Sequence, residues 1–256
     1  MAYWDYACFW SLAKTVGKTP GEIFESIIEE FYKSYIHDGD TVIDAGYYRG
    51  RHTLPLAKVV GKTGSVIAID ANPRIPLLDL EALQNVDVIS AALSDANGSA
   101  SFFVALGAEA YSGLKKAENS KKLGHVEFEE IAVPTITLDS VAKIAKFLKL
   151  DLEGGELHAI EGGVNLICRS RPIIAFEFNR QYAAQLYHYT KEHFFETFRG
   201  LNYDLYDVFG RVITPQSWDR PLVPWYAFGV PHEQRFTSRL VRRCARRVLK
   251  NCTVNS

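Results

Sequence analysis

This chain of 256 residues is short of several things, and each shortage excludes something. No apolar run approaches the roughly 18 residues of a membrane-spanning helix. The four cysteines, Cys8, Cys168, Cys244 and Cys252, form no CxxC pair and no metal-ligand spacing. That argues against a disulfide scaffold or zinc module and favours reduced thiols in a cytoplasmic setting; no metal is expected. The G-x-G-x-x-G fingerprint of dinucleotide enzymes is missing. So are an Asn-Pro-Pro-Tyr amide-reading motif and a catalytic cysteine motif, which argues against base-directed chemistry. The first ten residues, MAYWDYACFW, carry five aromatics but no basic n-region and no long apolar h-region, so they make a poor signal peptide.

What is present is the composition of a soluble globular protein, 47% hydrophobic and 23% charged. With no internal repeat and no low-complexity linker, one large domain with terminal extensions is expected. Residues 1–38 form an aromatic segment and a helix, 39–232 the main domain, and 233–256 a basic amphipathic tail. The formal net charge of −1 hides an asymmetry. Arg235 to Lys250 holds seven cations and no acid, leaving 22 cations against 30 acids, or −8, over residues 1–234.

Tyr3, Tyr6 and Trp10 recur at helical spacing, which suits packing against the body, a lid, a dimer contact or a membrane foot. Thr19-Pro20-Gly21-Glu22 then offers an N-cap hydroxyl, a proline in the first turn and a capping-box glutamate. Ile23, Phe24, Ile27, Ile28, Phe31, Tyr32, Tyr35 and Ile36 follow as one apolar stripe. Beyond Asp38-Gly39-Asp40, strand and helix signals alternate. Strands are expected over 41–44, 65–70, 86–90, 99–106, 147–152, 173–178, 203–208 and 225–230. Helices are expected over 51–60, 74–83, 155–167 and near 191–198, with Asp139 capping a short one. Residues 107–127 read as a polar surface excursion. The alternation predicts an α/β fold, a doubly wound, mostly parallel Rossmann-like sheet with helices on both faces.

Ligands of such sheets sit beyond the carboxyl ends of the strands. The first strand runs into Asp44-Ala45-Gly46-Tyr47-Tyr48-Arg49-Gly50, where glycines allow a tight turn beside an acid. The second ends in Asp70, suited to the hydroxyls of a ribose. An acid before the glycine turn repels pyrophosphate but accepts hydrogen bonds from an amino group, which favours S-adenosylmethionine over a dinucleotide. The segment Leu150-Asp151-Leu152-Glu153-Gly154-Gly155-Glu156 brings three more carboxylates to a strand end, and Glu177 adds another. Acids converging there require a cation among them. A sulfonium cofactor supplies it, with a bound metal as the rival explanation.

The ordered blocks VIDAGYYRGRHTL, VIAIDANP, SAALSDANGSASF, PTITLDS, KLDLEGGELHAIEGG, RPIIAFEF, LNYDLYDVFGR and PWYAFGVP resemble FkbM-type S-adenosylmethionine-dependent methyltransferases over roughly residues 41–231. The resemblance implies a class I methyltransferase fold. It places Asp44, Gly46 and Gly50 at the methionine end, with Tyr48 in the same turn, and Asp70 at the ribose, with Asn72 also among the cofactor-binding candidates. Ser94 and Asp95 would lie near the adenine, and Asp151 near the transferable methyl. The family usually has Ala-Asn where Tyr47-Tyr48 stand, so these tyrosines either stack over the cofactor or narrow its pocket. They also keep open a non-catalytic or binding protein on the same fold.

Methyl transfer to a hydroxyl calls for positioning and a nearby base. Asp151, Glu153, Glu156 and His158 are the catalytic candidates, with Glu177 behind them. The resemblance implies O-methylation of a sugar, glycan, glycolipid or secondary metabolite. In the tail, Phe236, Leu240, Cys244 and Val248 form an i, i+4 stripe with Val241 beside it. The tail suits a helix docked on the acidic body or a peripheral contact of residues 235–250 with an anionic membrane. Nucleic acid is disfavoured by the acidity of the rest.

Overall fold

The structure, a computed structural model, describes residues 6–75, 83–117 and 126–254. Tyr3, most of the helix expected over 74–83, and part of the 107–127 excursion lie outside the described residues. Helices α1 (Tyr6–Thr15) and α2 (Pro20–Tyr35) precede β1 (Thr41–Ala45), α3 (Thr53–Val60), β2 (Ser65–Asp70) and β3 (Val86–Ser90). Strands β4 (Ala92–Leu93), β5 (Gly98–Ala105) and β6 (Phe128–Ile136) follow, then α4 (Leu138–Val141) and β7 (Phe147–Leu150). Next come α5 (Glu156–Glu161), α6 (Val164–Ser170), β8 (Ile173–Glu177), α7 (Arg180–Tyr187) and α8 (Lys191–Gly200). Strands β9 (Tyr203–Asp207) and β10 (Tyr226–Pro231) and the long α9 (Thr237–Val254) complete the chain.

Seven strands form one sheet in the order β3-β2-β1-β7-β8-β10-β9. All pairs are parallel except those of β10, which runs antiparallel to β8 and β9. The expected doubly wound, mostly parallel α/β sheet is therefore observed. Its strands are apolar on both faces, and the period of two sorts their side chains into two cores. Val42, Val66, Phe147, Ile173 and Phe228 face α2, α3 and α9. Their neighbours Ile43, Ile67, Leu148, Ile174 and Ala227 face α5, α6 and α8. No helix among the described residues is long and apolar enough to cross a membrane.

Thr19 caps α2 as its spacing indicates, with a reciprocal capping box to Glu22. Among the N-terminal aromatics, Tyr6, Phe9 and Trp10 pack inward. Phe9 stacks on Phe24 at 5.1 Å between ring centroids, and the Tyr6 hydroxyl donates to Asp207 Oδ2 at 2.7 Å.

Three local expectations are corrected. The helix expected over 155–167 is broken at Gly162-Gly163, and Gly162 passes so close to the carbonyl oxygen of Ser94 that a Cβ would overlap it. Helix α4 is capped by Thr137, whereas Asp139 accepts from the backbone N–H groups of Asn165 (3.2 Å) and Leu166 (2.6 Å) at the start of α6. In α9 the buried stripe is Val241, Cys244, Ala245, Leu249 and Cys252, and Phe236 is 59% exposed.

Strands β4, β5 and β6 make a separate three-stranded sheet around Phe102, Val104 and Val133. The β5–β6 connection carries residues 109–114 to the rim of the main sheet, where they wall one side of a cavity.

Candidate active site

The strand order reverses between β1 and β7, and a cavity of about 860 Å³ opens at their carboxyl ends. This is the topological switch point at which open α/β sheets bind ligands. Gly46 makes the crevice possible. Its φ is 76°, its N–H donates to the Ile69 carbonyl at 2.7 Å, and a Cβ there would overlap the carbonyl oxygen of Asp151. Only a residue without a side chain lets the β1 turn lie against the end of β7.

Asp44, at the end of β1, is 1% exposed and accepts from the Thr53 hydroxyl at 2.6 Å. Burial pushes its carboxyl up, with His52, Thr53 and Lys149 opposing. Asp70, at the end of β2, accepts from the backbone N–H groups of Tyr48 (3.0 Å, Oδ2) and Asn72 (2.9 Å, Oδ1). Burial pushes its carboxyl up to about 6 in spite of those bonds. The Asn72 side chain donates to Ser112 Oγ at 3.2 Å and so ties the insertion wall to β2. Tyr47 is buried in the core, and Tyr48 takes a left-handed φ of 47° that turns its N–H onto Asp70. Both tyrosines are among the residues that line the cavity.

Under the carboxyl end of β7 lies a buried polar network. Lys149 is 1% exposed in an otherwise apolar strand, its Nζ 2.8 Å from Asp151 Oδ2 and 5.1 Å from the Tyr226 ring centroid. Burial alone would lower the Lys149 pKa, but Asp151, Glu25 and Asp44 raise it. The Tyr226 hydroxyl lies within hydrogen-bond distance of Asp151 Oδ2 (2.8 Å) and Glu25 Oε1 (3.0 Å). Glu25 reaches in from α2. Against the upward push of burial, His52, Lys149 and Tyr226 hold its carboxyl at about 2.

Beyond this network stand Asp151, Glu153 and Glu177, each offering a carboxylate oxygen within 4.8 Å of the others. Glu153 has a φ of 51°, a strained backbone position for a residue with a side chain. Glu177 Oε2 is buried with no hydrogen-bond partner among the described residues. Burial, then the charges of Glu153, Asp151 and Glu156, push the Glu177 carboxyl well above the usual range. Such a group of acids has room for a cation, whether the positive end of an organic cofactor or a divalent ion.

Asp44, Gly46, Tyr48, Asp70, Asn72, Asp151 and Glu153 thus line one cavity, together with Glu177. Five expected site residues do not line it. Glu156 is 3% exposed, and its Oε1 accepts from the N–H groups of Leu152 (2.7 Å) and Gly154 (3.3 Å), so it folds the loop after β7. His158 points away, edge-on to the Tyr187 ring at 5.5 Å. Gly50 closes the turn after β1 with an N–H to the Tyr47 carbonyl at 2.8 Å. Ser94 and Asp95 leave with β4 into the small sheet, and Ala91, Ala92 and Leu93 line the cavity instead. Sequence reasoning missed Glu25, Lys149 and Tyr226. Lys149 left a signal, a lone cation in the apolar run Phe147–Leu150.

The residues fit a cationic nucleoside cofactor. Among the lining groups are Glu25, Asp44, Asp70, Glu109, Asp151, Glu153 and Glu177, against Arg49, Arg51 and Lys149, with His52 beside them. This excess of acid repels a pyrophosphate and suits a sulfonium and an ammonium.

Comparison with known proteins agrees with the fold. Residues 44–205 match the family model of the methyltransferase FkbM domain. No curated protein matches the chain. Among solved structures, a methyltransferase FkbM from Methylobacillus flagellatus KT is 16% identical, with a TM-score of 0.46 over 76% of this chain and 44% of its own. The chain thus spans less than half of that relative. A putative rRNA-methylase from Clostridium thermocellum is 16% identical, with a TM-score of 0.43 over 80% of this chain and 93% of its own. A SAM-dependent methyltransferase from Aquifex aeolicus is 15% identical, with a TM-score of 0.40 over 89% and 97%.

Proposed function

The chain belongs to the FkbM methyltransferase family, and from that premise we propose that it is an S-adenosylmethionine-dependent O-methyltransferase. Its acceptor is a hydroxyl of a sugar, glycan, glycolipid or secondary metabolite. One observation carries this reading: acids from the ends of β1, β2, β7 and β8 converge on one cavity at the switch point, with too few cations to balance them.

When bound, S-adenosylmethionine supplies an electrophilic methyl group on a sulfonium. Asp70 offers carboxylate oxygens to the ribose hydroxyls, held in orientation by the Tyr48 and Asn72 N–H groups. Gly46 and the turn after it make room for the methionine end, beside Asp44. Lys149 and Tyr226 fix the Asp151 carboxylate next to the reacting groups.

Glu177 is the base. Among the described residues its Oε2 has no hydrogen-bond partner, so it can accept the proton of an acceptor hydroxyl. Burial and its acidic neighbours push this carboxyl well above the usual range. A positive charge beside it opposes that push and favours the ionised form that a base requires. Glu153, on its strained turn, accepts a second hydroxyl of the acceptor and sets its orientation.

The test is transfer of a labelled methyl group from S-adenosylmethionine into glycan and lipid extracts of cells lacking the protein. The wild type should label a hydroxyl. Glu177→Gln should lower transfer by about 10²–10⁴-fold while keeping its affinity for S-adenosylmethionine. Labelling of nitrogen or sulfur, or equal transfer by Glu177→Gln, would overturn this assignment.

A further inference from the structure

The proposed chemistry leaves α9 unused, and its outer surface is strongly basic. Seven cations and no acid lie between Arg235 and the end of the chain. The apolar side of α9 is fully engaged, since Val241, Cys244, Ala245 and Leu249 are buried in the core shared with α2. Two arginines tie the helix to the body, Arg247 through an ion pair with Glu30 of α2 and Arg242 through its Nε to the Gly210 carbonyl at 3.0 Å. The remaining cations face outward. Arg239, Arg243, Arg246 and Lys250 are exposed and make no ion pair with a carboxylate among the described residues. Their spacing of four, three and four residues sets them in one straight row, about 16 Å long at the rise of an α-helix.

At the head of the row stands Phe236, 59% exposed and flanked by Arg235 at 5.1 Å and Arg239 at 4.8 Å from its ring centroid. An exposed aromatic beside cations, on a helix whose apolar side is already covered, suits the boundary between headgroups and acyl chains. The body is acidic, so a polyanion that wrapped around the protein would meet repulsion on both sides of the row. A flat surface meets only the row.

We propose that the outer face of α9 docks this protein onto an anionic phospholipid bilayer, with Arg239, Arg243, Arg246 and Lys250 on the headgroups and Phe236 at the interface. The helix stays folded on the body and does not insert. Because α2 carries Glu30 to Arg247 and Glu25 into the cavity, the docked helix is joined through one rigid element to the proposed active site. A membrane-borne acceptor would be presented to such an enzyme.

The test is co-sedimentation of the full chain with phosphatidylcholine vesicles, with and without 30% phosphatidylserine, at low and high salt. Point variants are used because removing α9 would uncover its buried face. The wild type should sediment only with the anionic vesicles and be released by salt. At about fivefold per cation, Arg239→Gln/Arg243→Gln/Arg246→Gln should lower partitioning roughly a hundredfold. Phe236→Ala should lower it less. Circular dichroism and S-adenosylmethionine binding should stay unchanged in both variants, since none of these residues lines the cavity. Equal sedimentation with neutral vesicles, equal sedimentation of the triple variant, or tighter binding to RNA or DNA at the same salt would overturn the proposal. Loss of methyl transfer with intact sedimentation would touch only the catalytic reading.

Discussion

Replacing Asp70 with asparagine should stabilise the ligand-free protein at pH 8 while weakening its hold on the cofactor. The carboxyl of Asp70 moves from an ordinary 3.8 to about 6 on folding, chiefly through burial. Below pH 3.8 both folded and unfolded chains carry the proton, and the group costs nothing. As pH rises, the unfolded chain releases the proton first, so stability falls by about 1.4 kcal/mol per pH unit. Above pH 6 the full penalty is present, at most about 3 kcal/mol because the group is partly open to the cavity. Asparagine removes that penalty but keeps only one of the two oxygens that receive the Tyr48 and Asn72 N–H groups, a loss of about 1 kcal/mol. The net gain is about 1–2 kcal/mol at pH 8, or a rise in Tm of roughly 2–8 °C, shrinking to about zero near pH 5. Urea unfolding of both proteins at the two pH values measures it. A variant less stable than the wild type at pH 8 would refute the reasoning and make Asp70 a structural hydrogen-bond acceptor.

Gly46→Ala should lower Tm and weaken cofactor binding together, since the strained φ alone costs about 1 kcal/mol and the new Cβ forces β1 and β7 apart at the site; unchanged melting and binding would contradict it. Glu156→Ala should destabilise the fold by about 1–3 kcal/mol, because it strands the Leu152 and Gly154 N–H groups. Thermal melting checks this, and methyl transfer at a temperature where the variant is folded should persist. Chelating agents should leave transfer intact, because Lys149 and the cofactor balance the acids; restoration of lost transfer by a divalent ion alone would assign the cluster of Asp151, Glu153 and Glu177 to a metal.

Much of the sheet was legible because parallel strands buried on both faces read as short apolar runs between turns. Thr41, Ser65 and Phe147 open their strands where expected. Strand β6 is hidden in the sequence because Glu129, Glu130 and Pro134 interrupt its apolar alternation, although it lies between β4 and β5. At the break, Gly162 lies against Ser94, a residue distant in sequence, and no local pattern encodes that approach. In α9 the expected stripe packs against the core at Leu240, Val241, Cys244 and Val248, and only Phe236, which precedes the helix, stays exposed.

In the site, motif residues at strand ends were legible through their fixed offsets from glycine turns. Ser94 and Asp95 were misplaced because β4 departs into the small sheet two residues earlier than a plain strand end would. Glu156 could not be told from a cavity acid by its position at a helix start; its two loop N–H partners decide the matter. Glu25 lies outside the matched domain on a helix whose other residues serve the core, and only the tertiary fold brings it to Tyr226.

The most direct measurement is titration calorimetry of the full chain with S-adenosylmethionine and, separately, with NAD. Acids converging on a cationic ligand predict heat and saturation with S-adenosylmethionine, no binding of the pyrophosphate-bearing NAD, and roughly tenfold or weaker affinity in Asp70→Asn. A folded wild type that binds NAD, that ignores S-adenosylmethionine, or that binds it as tightly without the Asp70 carboxylate would contradict the account.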